Sequence, residues 1–332
     1  MGDGMKIGIA LRTHALVAVV LAGAVVAGEV QPARAFGSID GLDQDLEHEK
    51  ITRLGLASFG LGPDTMDEIA GAKGEFGAVG APDRPDRGLM GDARVHCDSG
   101  DTMDLPGYPQ SAAAARKVIM ACRAFMFRQL EIAVKEAGRI ATADGRVRSR
   151  EIPSTIPCTF SGSSGRAKCD VLEALGLALH TAQDFYAHSN WVDLPGPGLI
   201  TPENPPGLGN SGPAPFIDPA RRGAFPEGLV SGCFQGKPER LLCSYDGGKA
   251  RLRHKFLNKD NGPIDARSGA VGRGTTPRGA INDNFRRAVG AAVADTRNKW
   301  AWFEASVLRR YGPVQGNAIL CGMRNDHENS CR

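Results

Sequence analysis

The sequence predicts an all-α protein, a multi-helix bundle whose helices are joined by long loops. Two observations support this. In several stretches apolar residues recur at intervals of three and four, the spacing that lines one side of a helix, and no stretch alternates apolar and polar residues as a half-buried strand does. Between these stretches lie long segments rich in Gly, Pro and Asp, which cannot supply a packed helix or strand. The chain has 332 residues, with 42% hydrophobic and 23% charged side chains, which suits a folded core.

Residues 1–35 read as an export signal. Lys6 and Arg12 make a positive start, Leu16 to Gly28 is an uncharged apolar run, and Ala33-Arg34-Ala35 is a small-x-small cleavage site that leaves Phe36 first. The apolar run is short of the ~20 residues a membrane span needs, and no later segment approaches that length. The signal contains Lys6, Arg12 and Arg34 against Asp3 and Glu29, so its removal takes the formal charge from +3 to +2. A nearly neutral chain gives no electrostatic reason to expect nucleic-acid binding. Residues 36–332 are read as a single domain.

All eight cysteines lie after the signal. An even count in an exported chain suggests disulfides, although eight cysteines allow 105 connectivities. Spacing favours local loops: Cys158 with Cys169, Cys233 with Cys243 and Cys321 with Cys331, leaving Cys97 with Cys122. No CxxC pair is present, so a thiolate metal site is not expected.

Along the domain, Leu46 to Ser58 reads as a helix, with His48, Ile51, Gly55 and Ser58 on one side. A histidine at such a core edge is usually a hydrogen-bonded core residue. Gly60 to Gly107 reads as a long loop, in which His96-Cys-Asp-Ser-Gly-Asp101 places three potential ligands in six residues. An Asp-rich surface turn would look the same. Ser111 caps a helix to Ala141, with Ile119, Cys122, Met126, Leu130, Ala133 and Ala137 inward. Asp144 to Lys168 is loop, and a helix follows from about Asp170 to Ser189. Pro195 to Pro238 is structureless by composition, either a lid or, more simply, a surface insertion. His254-Lys-Phe-Leu-Asn-Lys-Asp260 is a polar cluster whose simplest reading is a solvated face or helix end. Ser268 to Gly279 is a Gly-rich basic loop that matches no phosphate-binding pattern. Asn282 is expected to cap a last helix, Phe285 to Tyr311, with Phe285, Val289, Ala292, Val293, Trp300, Phe303 and Val307 inward.

The most informative stretch is Leu177 to Trp191. His180, Asp184 and His188 are spaced by fours, so on a helix they fall within a sector of roughly 80°. Two imidazoles and a carboxylate on one stripe can present ligands to one or two metal ions, as helical bundles do. Leu172, Leu175, Leu179, Ala182 and Tyr186 lie opposite, so an amphipathic helix with a wet polar face would show the same layout. Three features favour metal. From Gly176 to Trp191 the stripe contains no Lys, Arg or Glu, its flanks are small, and Trp191 continues it.

His180-xxx-Asp184-xxx-His188-Ser-Asn-Trp191 resembles the signature of the fungal heterokaryon-incompatibility C family. It also resembles that of related bacterial proteins encoded near lantibiotic clusters and of the N-terminal region of certain von Willebrand factor A domain-containing proteins. Glu47-His-Glu-Lys-Ile-Thr-Arg53 resembles the first helix of that family, and Leu257-Asn-Lys-Asp260 a later element. The superfamily is similar to the zinc-dependent phospholipase C and P1-type nuclease fold, an all-α bundle with a trinuclear zinc cluster. The resemblance runs from about residue 36 to residue 310.

The resemblance implies zinc, one to three ions. It makes His48, His180 and Asp184 ligands, with Asp184 bridging, and His188 the next histidine. His96, with Asp98 or Asp101, stands for the upstream ligands, and Phe36 ligates through the new amino terminus. The second-site His-xxx-Glu pair of those enzymes is matched only in spacing by His254 and Asn258, with an amide replacing the carboxylate. Zinc-bound water would then hydrolyse a phosphoester, with Asp101 or Asp260 as base or orienting group. A phospholipid head group is the first substrate expected and a nucleic acid the second. The competing expectation is a non-catalytic, metal-stabilised scaffold for recognition or for membrane or partner contact.

Overall fold

The computed structural model describes residue 1 and residues 36–38, 40–41, 44–72, 75–153, 156–162 and 165–331. The expected export signal therefore lies outside the described residues. From residue 36 onwards, the described residues form seven α-helices: α1 (Glu47–Leu56), α2 (Pro63–Ala70), α3 (Ala93–His96), α4 (Ala112–Ala137), α5 (Ala167–His188), α6 (Glu239–Leu242) and α7 (Asn284–Arg324). Among the described residues, strand structure is limited to three antiparallel two-residue pairs, at Asp40–Gly41 with Gln44–Asp45, Gly71–Ala72 with Glu75–Phe76, and Ser244–Tyr245 with Lys249–Ala250. The architecture is mostly α, as the apolar spacing predicts.

Helix α5 is the axis of the bundle. It packs against α4 and α7, and α1 lies on α7. Every residue from Val171 to His188 is buried, including Glu173, Gln183 and all three members of the polar stripe, and so is Lys168 in the first turn. The stripe is therefore not a solvated face. Two glycines allow the approach of its neighbours. A Cβ at Gly176 would run into the backbone of Ala78, and one at Gly55 would strike the Thr296 side chain. The first brings the turn at Val79 onto α5, and the second lets α1 and α7 meet closely.

Helix α4 is capped as expected, with Ser111 Oγ accepting from Ala114 N at 3.2 Å. All six of its predicted inward residues are buried. It ends at Ala137, because Gly138 to Ile140 close into turns. The last helix departs from expectation at both ends. Asn282 does not cap it: its amide donates to the Leu194 and Pro195 carbonyls, and the residue before α7 is Asp283. Beyond Tyr311 the helix breaks at Gly312 (φ 71°, ψ 176°), resumes at Pro313 and runs to Arg324. Pro is tolerated there because it opens a new first turn, where its missing N–H costs no hydrogen bond.

Three loop expectations are corrected. Residues Gly60 to Gly107 contain α2, which buries Thr65, Ile69 and Ala70, and α3, which buries His96. Residues Pro195 to Pro238 are irregular but are not a surface insertion, since Ala214, Phe216, Ile217, Leu229 and Val230 are buried. Side chains of α5 and α7 satisfy their backbone: Tyr186 Oη accepts from Ala214 N, Lys299 donates to Ile217 O, and Arg287 donates to Gly209 and Asn210 O. The 254–260 cluster is likewise no solvated face, because His254, Leu257, Lys259 and Asp260 are all buried.

The four disulfides are Cys97–Cys122, Cys158–Cys169, Cys233–Cys243 and Cys321–Cys331, the pairing that local spacing favours. No described helix is long and apolar enough to cross a membrane.

Candidate metal centre

Four separate segments bring six side chains to the α5 stripe. Helix α1 supplies His48, the short 3-10 turn Ala81–Asp83 supplies Asp83, and α3 supplies His96 from its last residue. The chain then turns sharply: Cys97 (φ 54°) and Ser99 (φ 64°) are left-handed, and Asp98 between them points inward. The 3-10 turn His254–Phe256 supplies His254, and Asp260 follows on the same loop.

These residues form two adjoining groups. In the first, Asp184 is the hub. Its Oδ1 lies 3.2 Å from His48 Nε2, and its Oδ2 lies 3.0 Å from His180 Nε2 and 2.9 Å from His96 Nδ1. Asp83 Oδ1 stands 3.9 Å from both His96 Nδ1 and His180 Nε2. In the second, His188 faces Asp98 at 3.3 Å and Asp260 at 3.2 Å, while His254 Nε2 faces Asp260 Oδ2 at 3.6 Å. Three subsets, His48/His180/Asp184, Asp83/His96/His180 and Asp98/His188/His254, each hold their ligand atoms within 4.8 Å of one another.

The outer nitrogens of the histidines are engaged, which turns the inner ones towards the centre. His180 Nδ1 meets Val79 O at 2.9 Å, His96 Nε2 meets Leu89 O at 3.2 Å, and His188 Nδ1 meets His96 O at 2.8 Å. The last of these links the two groups, because the backbone of a residue in the first orients an imidazole of the second. His48 Nδ1 meets the side-chain oxygen of Gln183 at 2.7 Å.

Five candidate ligand atoms are buried without a hydrogen bond: His48 Nε2, Asp98 Oδ1, Asp184 Oδ1, His254 Nε2 and Asp260 Oδ2. An unpaired buried polar atom costs roughly 1–3 kcal/mol, so five around one centre would be a heavy penalty without a partner. Lone pairs converging on a common space from imidazole and carboxylate donors fit a bound cation. The electrostatics agree. Burial pushes the Asp184 carboxyl up, but the charges of His180 and His188, with His180 and His48 close against its oxygens, hold it well below the usual carboxylate range. Burial pushes His96 down, yet Asp184, Asp83 and Asp98 carry it up to about 9. His188 is likewise opposed by burial and raised by Asp98, Asp260 and Asp184. Four carboxylates packed together call for positive charge.

Of the expected site residues, His48, His96, Asp98, His180, Asp184, His188 and His254 are brought together. Asp260 joins them, facing two histidines as a ligand would. Asp101 does not join them: Arg251 grips both of its oxygens, at 2.7 and 3.0 Å, and Tyr108 donates to it. A carboxylate so fully engaged braces the loop and is no free base. Phe36 is buried with its ring edge-on to His48 at 5.8 Å, and the neighbouring Gly37 carbonyl accepts from His48 N. Sequence reasoning missed Asp83, which sits in an Ala-Pro-Asp-Arg-Pro run with no periodic signal. It also missed Gln183, which lies inside the stretch singled out. Compared with protein-family models, with curated proteins and with solved structures, this chain matches none.

Proposed function

We propose that this protein is an exported zinc-dependent phosphoesterase of the phospholipase C and P1 nuclease type, as its likeness to the heterokaryon-incompatibility C family implies. The observation that carries this reading is the pair of adjoining, buried His/Asp groups with Asp184 between histidines on both of its oxygens. His48, His96, His180, Asp83 and Asp184 would hold metal on one side, and Asp98, His188, His254 and Asp260 on the other. Nitrogen and carboxylate donors without thiolates suit zinc. Zinc bound there supplies a water of pKa near 7 and positive charge for phosphoryl oxygens.

The chain's own residues have distinct tasks. Backbone carbonyls at Val79, Leu89 and His96 hold three imidazoles in their ligating orientation. The bundle excludes water, so each interaction within the site is stronger than it would be in solvent. Asp83 is the most accessible ligand, with a side chain 14% exposed, and marks the side from which a head group would approach. The eight disulfide-bonded cysteines suit an oxidising compartment, outside the cell or in a periplasm. A phospholipid head group remains the first substrate class.

One observation favours the second reading, a metal that only stabilises a helical scaffold. Six of the nine ligands have side chains no more than 3% exposed, and structural sites are closed whereas catalytic ones keep a position open. One experiment separates the two. The purified protein is assayed for zinc and for release of p-nitrophenol from p-nitrophenyl phosphorylcholine, beside Asp184→Asn. Zinc with metal-dependent turnover supports the enzyme, zinc without turnover supports the scaffold, and less than about one zinc per chain sinks both.

A further inference from the structure

Among the candidate ligands, His48 is oriented differently from its neighbours. His96, His180 and His188 each lean on a backbone carbonyl, whose position the fold fixes whatever the side chains are. His48 leans on Gln183, one residue before the hub Asp184. An amide can be rotated to present either its oxygen or its NH2 group, so something must hold it. Here the NH2 group donates to Thr52 Oγ1 on α1 at 2.9 Å and to Thr296 Oγ1 on α7 at 3.2 Å. His48, Thr52, Gln183 and Thr296 are all fully buried. They lie where α1, α5 and α7 meet, the place where Gly55 admits the Thr296 side chain.

With both amide hydrogens taken, Gln183 has only its oxygen to offer, and His48 must carry its proton on Nδ1. Nε2 is then a bare lone pair facing Asp184 Oδ1, the atom pair that lacks hydrogen bonds. We propose that Gln183 is a positioning residue which fixes the orientation and tautomer of His48 and so builds the His48 metal subsite of the centre. This rests on the metal reading given above.

The test uses the full chain loaded with Zn2+ and titrated with a chelator, followed by stepwise reloading with Zn2+ or Co2+. Gln183→Leu keeps the volume but removes the acceptor, and Gln183→Glu keeps an acceptor and strengthens it. In Gln183→Leu the affinity of one metal equivalent falls roughly 10–100-fold relative to the wild type, the range seen when such supporting contacts are removed. In Gln183→Glu it is retained or tightened, and in all three proteins the remaining equivalents are unchanged. Imidazole 15N shifts of the metal-free protein give a second readout, with His48 as the Nδ1–H tautomer in the wild type and a mixture in Gln183→Leu. Equal affinity for every equivalent in wild type and Gln183→Leu would overturn the proposal, as would a Gln183→Glu protein that loses metal like the leucine variant. A wild type that binds no metal sinks the metal reading instead. The tautomer comparison still decides whether Gln183 positions His48.

Discussion

Nε2 of His48 and Oδ1 of Asp184 face each other at 3.2 Å in the interior of the bundle, and neither makes a hydrogen bond. Asp184 Oδ2 is at the same time within 3.0 Å of His180 and His96. One carboxylate thus serves three imidazoles, and its two oxygens point to different neighbours.

That arrangement makes Asp184→Asn the most direct test of the centre. Asparagine has the same shape but only one oxygen and no charge, so it cannot serve both sides. The expected outcome is loss of at least one bound zinc per chain with the helical circular dichroism signal intact, measured by elemental analysis of the purified variant. Chelation of the wild type should lower its stability by an amount set by mass action, about 2.7 kcal/mol when free zinc had stood at 100 times its Kd. Unchanged zinc content in the variant would rule out Asp184 as a ligand.

A second prediction concerns the Cys97–Cys122 disulfide. Cys97 lies between His96, which faces the first group, and Asp98, which faces the second. The bond ties this sharp, left-handed turn to α4 across a separation of 25 residues. Replacing both cysteines by serine should cost about 3 kcal/mol from chain entropy alone. It should also weaken zinc binding in both groups, whereas replacing Cys321 and Cys331 should lower stability and leave zinc affinity unaltered. Denaturant melts paired with zinc titrations separate the two effects. Equal zinc affinity in all variants would mean that the turn holds its shape without the staple.

The sequence made the helices and the core of the site legible because both depend on local spacing. The stripe His180, Asp184, His188 is visible as a period of four, and the inward residues of α4 as intervals of three and four. What was not legible depends on contacts distant in sequence. Asp83 enters the centre only because Gly176 lets the 78–83 turn press on α5. Asp101 looked like Asp98 and differs from it only because Arg251, 150 residues away, takes its carboxylate. The 195–238 segment looked detachable by composition, and it is held by Tyr186, Arg287 and Lys299, whose reach no periodicity reports.

A third prediction is a pH dependence at the other end of α5. Lys168 is buried, and its ammonium donates to Thr65 Oγ1 and Asn325 O at 2.7 Å each. Burial pushes its pKa down to about 8, against the partial support of Asp326 and Glu68. Below pH 8 both folded and unfolded chains bear the proton, and the folded state bears the full burial penalty. Between pH 8 and the unfolded value of ~10.4 only the unfolded chain holds the proton, so stability rises with pH. Relative to Lys168→Met, the wild type should gain about 2 kcal/mol between pH 7.5 and 10, read from urea melts at the two pH values. A constant difference between the two proteins would show that Lys168 keeps an ordinary pKa.

The last prediction separates charge burial from metal binding. Asp193 lies five residues beyond His188 and is fully buried, as is Lys259 beside the ligand Asp260. Lys259 Nζ is 3.0 Å from Asp193 and also donates to the Ser189 and Leu257 carbonyls. Arg278 Nε donates to the same carboxylate at 2.8 Å and its other arm reaches the Pro205 carbonyl. One anion therefore bridges two buried cations that fasten the end of α5 to the 257–260 loop and to the 205–206 segment. Asp193→Ala strands both cations and should cost roughly 3–5 kcal/mol, the range for breaking a buried pair. Replacing all three charges together, as Asp193→Leu, Lys259→Met and Arg278→Met, should cost less than the single change, because no charge is left unpaired. The triple variant loses the clamp on the 257–260 loop, so its zinc content should fall at the His188/His254/Asp260 group even where its stability recovers. Stability and zinc content that recover together would show that packing alone places Asp260 and that the ion triad serves the fold and not the metal.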